Sequence, residues 1–267
     1  MTVELQSLMQ AAHEAAKLAG AVALKHYRTG VAVDTKGDGS PVTIADRNAE
    51  LAVREWITAR FPDDGILGEE FGEQIGRSGR RWILDPIDGT KSFVRGVPLW
   101  GSLVALVEGE RVLAGAACFA PVDETIVAAP GCGTWCNGVR THVSPVTDLA
   151  AATVLITDDR TVGPPISRNG WERLSRSAAV SRSWGDCFGY LLVATGRAEV
   201  MVDPIVNPWD AACFQPIIEE AGGVFTDLTG SRTVFGGHAI ATNAGVADAA
   251  RALIAGIELD NDMLIYF

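Results

Sequence analysis

Trp82-Ile83-Leu84-Asp85-Pro86-Ile87-Asp88-Gly89-Thr90 is an apolar run that ends in two aspartates three residues apart and then a Gly-Thr turn. Large apolar residues in succession read as a buried strand. Asp-Pro and Asp-Gly are turn-forming pairs that end it. Carboxylates at a strand end suit hard cations such as Mg²⁺, which take oxygen ligands. Backbone N–H groups at a Gly-Thr turn that opens a helix suit a phosphate. One segment thus offers a cation seat beside a phosphate seat, as metal-assisted phosphate ester hydrolysis requires. The same residues would also serve as an ordinary turn, so the surrounding chain has to decide.

On the N-terminal side, Leu5, Leu8, Met9, Ala12, Ala16, Ala19 and Ala23 recur at helical spacing and predict a helix over 3–27. A short strand is expected at 31–33 and a flexible loop at 36–41, followed by a helix over 44–60 that buries Ala49, Val53, Trp56 and Ile57. After a turn at 62–65, a strand at 66–68 runs into Glu69-Glu70. On the C-terminal side, strands at 102–107, 111–119 and 124–128 read as antiparallel, with Glu108-Gly109-Glu110 as a hairpin turn and Asn137-Gly138 as another turn signal. Beyond about residue 145 strands and helices alternate. Strands are expected at 153–156, 199–202, 224–227 and 239–241, and helices within 165–177 and at 186–195, 209–221 and 246–257. No repeat or low-complexity linker intervenes. The expectation is one domain over 1–267, an α+β layered sandwich whose subdomains, about 1–145 and 146–267, share a site at their seam.

Composition narrows the function. With 33 acidic and 22 basic residues the net charge is −11, which argues against a nucleic-acid backbone as partner. The apolar content of 48% is that of a globular core rather than a disordered chain. No stretch reaches the length of clean apolar residues that a membrane helix needs, and 1–30 lacks the character of a signal peptide. Five cysteines, an odd number, then suit reduced thiols in the cytoplasm. Cys132 and Cys136 lack the two further ligands of a zinc site, and His13, His26, His142 and His238 fit no ligand spacing. CxxxxxR and GxSxG are both absent, which disfavours a thiol phosphatase and a serine hydrolase.

Besides Asp85 and Asp88, four acidic positions stand out by context. Glu69 and Glu70 follow a strand and a glycine, while Asp46 and Asp210 fall in the first turns of helices. Each alone could be a solvated charge or a residue that complements a helix dipole. Together, Gly68-Glu69-Glu70, Asp85-Pro86-Ile87-Asp88-Gly89-Thr90 and Trp209-Asp210-Ala211-Ala212 resemble the inositol monophosphatase family of Mg²⁺-dependent phosphatases, in that family's order and over about 5–257. Gly131-Cys132-Gly133 with Asn137-Gly138, and Glu220-Ala221-Gly222-Gly223, are weaker matches.

The resemblance implies an αβαβα sandwich of the inositol monophosphatase and sugar phosphatase type. It implies two or three Mg²⁺ per subunit and, commonly, a homodimer. Glu69, Asp85 and the Ile87 carbonyl would hold the ion that activates water, and Asp85, Asp88 and Asp210 a second near the leaving oxygen. A third, weaker ion would lie near Glu69. Asp88, Gly89 and Thr90 would bind the phosphate, and Thr90 with Asp46 would activate water. Lys36 matches a lysine on a mobile loop near the ions, with Glu70 standing behind the ligands. The Trp184–Gly196 stretch, Gly68-Glu69-Glu70-Phe71-Gly72 and Thr90-Lys91-Ser92-Phe93 look like the histidinol-phosphatase branch.

The implied substrate is therefore a small phosphorylated metabolite, histidinol phosphate, with Asp186, Asp203 and Asn207 lining its pocket and Asp186 or Asp203 facing its ammonium group. Asp186 could instead cap the helix that begins near Cys187. Inositol 1-phosphate and fructose 1,6-bisphosphate are the alternative substrates. A bisphosphate would need a basic site, for which Arg160, Arg168 and Arg182 are candidates. An inactive binding protein of the same fold would show damage to the ligand set, and none is visible. The tail 261–267 matches no feature of the family; its apolar end would suit packing on a neighbour.

Overall fold

Helix α1 (Thr2–Leu24) and a small antiparallel pair, β1 (Val33–Thr35) and β2 (Pro41–Thr43), lead into α2 (Ile44–Arg60) in the computed structural model, which describes residues 2–37, 39–161 and 168–255. Strands β3 (Gly65–Gly68), β4 (Gly72–Gln74) and β5 (Arg80–Asp88) follow, then the short helix α3 (Thr90–Val94). A meander of β6 (Gly101–Glu108), β7 (Arg111–Phe119), β8 (Glu124–Ala129), β9 (Gly133–Cys136) and β10 (Val139–Arg140) completes an eight-stranded sheet of order β10-β9-β8-β7-β6-β5-β3-β4. Its pairs are antiparallel except β3 with β5.

The rest of the chain contributes β11 (Thr153–Ile156), α4 (Arg168–Ser177), β12 (Val180–Arg182), α5 (Asp186–Ala194) and β13 (Val200–Asp203). Then come α6 (Pro208–Ala211), α7 (Phe214–Glu220), β14 (Val224–Thr226), β15 (Ala239–Thr242) and α8 (Ala247–Ala255). Its five strands form a second sheet of order β12-β11-β13-β15-β14. Stacking gives five layers: α1 and α2, the large sheet, α5 and α7, the small sheet, then α4 and α8. This is the αβαβα arrangement that the resemblance implied. No helix among the described residues is long and apolar enough to cross a membrane.

Side-chain size sets the layer spacing. The buried face of α1 is mostly alanine (Ala12, Ala15, Ala16, Ala19 and Ala23), so its backbone lies close on the sheet. At Gly20 an added Cβ would come within 2.7 Å of Cys118 Sγ on β7. Between the sheets the packing is aromatic: Tyr190 of α5 stacks on Phe214 of α7 with ring centroids 4.6 Å apart.

Several elements differ from the sequence reading. The helix expected over 209–221 is two, α6 and α7, broken at Ala212-Cys213. Pro216 has no N–H for the Ala212 carbonyl and its ring crowds that carbonyl, so it fits the first turn of a new helix but not the interior of a longer one. The strand expected at 31–33 lies at Val33–Thr35, exposed along its length, and β2, β4, β9, β10 and β12 were not anticipated. Residues 165–167, the last two of the helix expected over 246–257, and the tail 261–267 lie outside the described residues.

The two weakest sequence matches prove to be one latch. The Glu220 carboxylate at the end of α7 accepts hydrogen bonds from the Gly131 and Gly133 N–H groups, both at 2.8 Å, and so ties the middle helical layer to the β8–β9 turn. Glu220→Ala strands two donors. It should cost about 1–3 kcal/mol, or roughly 3–10 °C of Tm, with kcat unchanged. An unaltered melting curve would remove the latch from the stabilising contacts.

Candidate active site

The site begins where β5 stops pairing regularly. Its register with β6 breaks between Asp85 and Asp88, because Pro86 donates no ladder hydrogen bond. Ser102 Oγ instead donates to the Pro86 carbonyl at 2.6 Å, and the Ile87 N–H donates to Asp85 Oδ1 at 3.0 Å. Gly89 then turns the chain at φ 86°, where a Cβ would lie 2.8 Å from the Leu99 carbonyl oxygen. Only glycine fits both demands. The first N–H groups of α3 have no acceptor within the helix, and Gly89, Thr90 and Lys91 line a cavity of about 330 Å³.

Carboxylates crowd that cavity. Asp85, Asp88 and Asp210 present oxygens within 4.8 Å of one another. Asp210 comes from the opposite half of the chain, at the start of α6, where Asp210 Oδ2 accepts the Asn207 N–H at 2.7 Å. Asp85 is 2% exposed. Burial pushes Asp85 and Asp88 well above the usual carboxylate range. The charges of Glu69, Asp88 and Asp210 add to the effect on Asp85, and those of Asp186 and Asp210 to the effect on Asp88. Asp210 is raised to about 6, again by burial first, with Glu69 adding to it. No ion pair among the described residues neutralises these three carboxylates; Lys36 pairs instead with Glu69 and Glu70 at 2.7 and 2.6 Å. A cluster of acids without ion-pair partners, one buried and two half-buried, is the donor set that hard divalent cations take, so the residues present fit the cation that the sequence implied.

Beside the cluster, the Thr90 hydroxyl lies 2.9 Å from the Ile87 carbonyl and 3.3 Å from Asp46 Oδ1. Asp46 is fully buried in the first turn of α2, and its other oxygen accepts the Thr43 N–H at 2.8 Å and the Thr43 hydroxyl at 2.6 Å. Burial raises its pKa, and the bonds from Thr43 offset part of the rise. Across the cavity, Asp186 opens α5 with φ 48°, an uncommon conformation for a residue with a side chain. Its N–H donates to Thr157 Oγ1 at 2.9 Å, and no side chain caps the helix start, so the capping alternative is not realised. The Cys187 N–H of the same turn donates to Asp88 Oδ2. Burial raises Asp186, with Lys91 opposing, and raises Asp203 well above its ordinary value.

Ten of the residues singled out in the sequence line this cavity: Glu69, Asp85, Ile87, Asp88, Gly89, Thr90, Asp186, Asp203, Asn207 and Asp210. Lys36 and Glu70 stand one contact back, through Glu69 and the shared lysine, and Asp46 stands behind Thr90. Sequence reasoning missed Ser40, Pro41, Lys91, Thr157, Asp158 and Ile205 in the lining. It also missed Glu50, a buried carboxylate in α2. Glu50 carried a signal: it follows Asp46 by one turn on a stripe shared with Ala49, Val53 and Ile57, where an acid has to be satisfied internally.

A sequence profile described as the inositol monophosphatase family matches residues 4–258. A histidinol-phosphatase of Chlorobaculum parvum is 45% identical over 242 residues, covering 90% of this chain and 92% of that protein. A histidinol-phosphatase of Mycobacterium tuberculosis is 40% identical over 216 residues, covering 79% of this chain and 83% of that protein. Among solved structures, the extragenic suppressor protein suhB of Bartonella henselae superposes with a TM-score of 0.87 at 26% identity, covering 93% of this chain and 98% of that one.

Proposed function

Since the chain belongs to the inositol monophosphatase family and is a phosphatase acting on phosphoric monoesters, we propose that its substrate is histidinol phosphate. The likeness to the two histidinol-phosphatases over most of the chain carries this reading. The acidic far wall of the cavity, with Asp186 and Asp203, supports it, because histidinol carries an ammonium and an imidazole. Of the arginines considered for a second phosphate, Arg160 is held by Asp158 through bonds of 3.0 and 2.8 Å, and Arg182 turns to the Ser181 carbonyl. The side chain of Arg168 lies outside the described residues.

In this reading Glu69, Asp85, Asp88, Asp210 and the Ile87 carbonyl hold two or three Mg²⁺. The bound cations offset the charge of the carboxylates and the phosphate dianion and supply Lewis acidity. The chain's own residues do the rest. The N–H groups of Gly89 and Thr90 hold the phosphate oxygens at the start of α3. Thr90 Oγ1 hydrogen-bonds the attacking water and relays its proton to Asp46 Oδ1. Burial raises the pKa of Asp46, which makes its carboxylate a better proton acceptor than an exposed one. Asp186 and Asp203 hold the ammonium of histidinol, and Asn207 lines the same wall. The working assembly is proposed to be a cytoplasmic homodimer.

Phosphate release with Mg²⁺ and with EDTA, from histidinol phosphate, inositol 1-phosphate and fructose 1,6-bisphosphate, tests the assignment. A Mg²⁺-dependent preference for histidinol phosphate is the expected result. A preference for either of the others overturns the substrate and leaves the chemistry. Asp186→Asn and Asp203→Asn should each raise KM for histidinol phosphate about tenfold, the cost of one charge-assisted bond, and change KM for inositol 1-phosphate less than about twofold. Equal changes for both substrates would count against the ammonium contact.

A further inference from the structure

We propose that Glu50, with Arg54, is a positioning residue for the reaction. From inside α2 it fixes the backbone turn that presents Glu69. The inference rests on the reading of Glu69 as a cation ligand.

Glu69, Glu70 and Phe71 form the tight loop between β3 and β4, whose flanking residues Gly68 and Gly72 pair across the hairpin. Every N–H of this loop is accounted for. That of Glu69 goes to the Leu84 carbonyl of β5 at 3.2 Å. Those of Glu70 and Phe71 go to Glu50 Oε2 at 2.8 Å and Oε1 at 3.2 Å. Arg54, one turn further along α2, donates Nε to Glu50 Oε1 at 2.7 Å and Nη2 to the Gly72 carbonyl at 2.5 Å. The pair thus grips the loop by two donors and one acceptor.

The grip needs a glycine. A Cβ on Gly68 would lie 2.0 Å from Glu50 Oε1, so a side chain there would expel the carboxylate. Glu50 is 1% exposed, and an acid so placed persists only when its oxygens are satisfied. Here three N–H donors from the loop and Arg54 do so.

Asp46 and Glu50 are both buried and lie four residues apart, on one face of one helix. One end of that face meets Thr90 and the other holds the Glu69 loop. Helix α2 is therefore a rigid bar between the proton-handling pair and a cation ligand. Glu50 touches neither substrate nor cation in this arrangement; it acts through Glu69.

Mn²⁺ titration of the metal-stripped protein, followed by electron paramagnetic resonance without substrate, tests this. Glu50→Gln keeps the shape but puts an NH₂ group against a donor. It should weaken Mn²⁺ binding about tenfold and raise the Mg²⁺ concentration for half-maximal rate in parallel. KM for substrate at saturating Mg²⁺ should stay put. In a Glu69→Gln background the same change should cost less than twofold, since the effect runs through Glu69. Arg54→Lys keeps the charge, loses the fork and should give about a threefold loss; it decides the matter if Glu50→Gln does not fold. Wild-type Mn²⁺ affinity in a folded variant overturns the proposal, as does an undiminished loss in the Glu69→Gln background. Unchanged affinity in Glu69→Gln alone would instead overturn the ligand reading beneath it.

Discussion

Asp210→Asn should lower kcat/KM by on the order of 10³ and, in EDTA at pH 8, raise the melting temperature by several degrees. In the proposed reading the loss follows from removing a ligand charge where cations would supply several kcal/mol to the transition state, at about 1.4 kcal/mol per tenfold in rate. The gain has the same origin. Asp210 lies half-buried beside Asp85 and Asp88, within reach of the charge of Glu69, and its pKa raised to about 6 reflects the cost of holding a charge there. An asparagine keeps an oxygen for the Asn207 N–H, bonded at 2.7 Å to the native carboxylate, and removes the repulsion. Paired kinetics and thermal denaturation decide. Lost activity with a lower melting temperature would make Asp210 a helix-start residue. Retained activity would remove it from the cation set.

Stripped of cations, the protein should become less stable as pH rises from 5.5 to 8, and Mg²⁺ should cancel the fall. Glu70 is pushed up to about 7 and Asp210 to about 6, burial being the first cause for each. Unfolded carboxylates titrate near 4. Between about pH 4 and 7 the folded chain therefore holds protons that the unfolded chain has released, and stability falls through that window. Asp85 and Asp88 act in the same direction. Burial works against the charge of Lys36, but its bonds to Glu69 and Glu70 outweigh burial and raise its pKa. It is protonated in both states below about pH 10, so it adds no slope here. With about 1.4 kcal/mol for each tenfold change in proton affinity, a fall on the order of 5–10 °C is expected. Cations bind the folded form and restore it. A melting temperature in EDTA that is flat across this range would sink the argument.

What could be read from the sequence depended on how local each signal was. The 44–60 helix emerged with its observed limits, because the Thr43 cap, the Asp46 start and the apolar stripe all lie within the element. The metal-ligand candidates were legible for the same reason: each sits in a short segment whose glycine, proline or acid has few other uses. Strand β4 was not, because its residues are all exposed, and β12 was not, because its three residues carry no apolar alternation to read. The break between α6 and α7 was written in Pro216 but masked by the strong apolar run around it. The cavity's far wall was hardest. Lys91 meets Thr157 and Asp158 only through tertiary packing, and no spacing along the chain encodes that meeting.

The seam between the two sheets also gives the enzyme an order of birth. Glu69, Asp85 and Asp88 are all made before residue 90, but Asp210 is translated far later and from the other sheet's connections. A nascent chain paused between those points carries a partial nest of acids with its closing member missing. In the proposed reading, capture of divalent ions at full strength therefore belongs to the finished protein. A ribosome-bound fragment stopped before Asp210 should neither retain such ions firmly nor cleave phosphoesters, which keeps hydrolysis silent until synthesis has passed that residue.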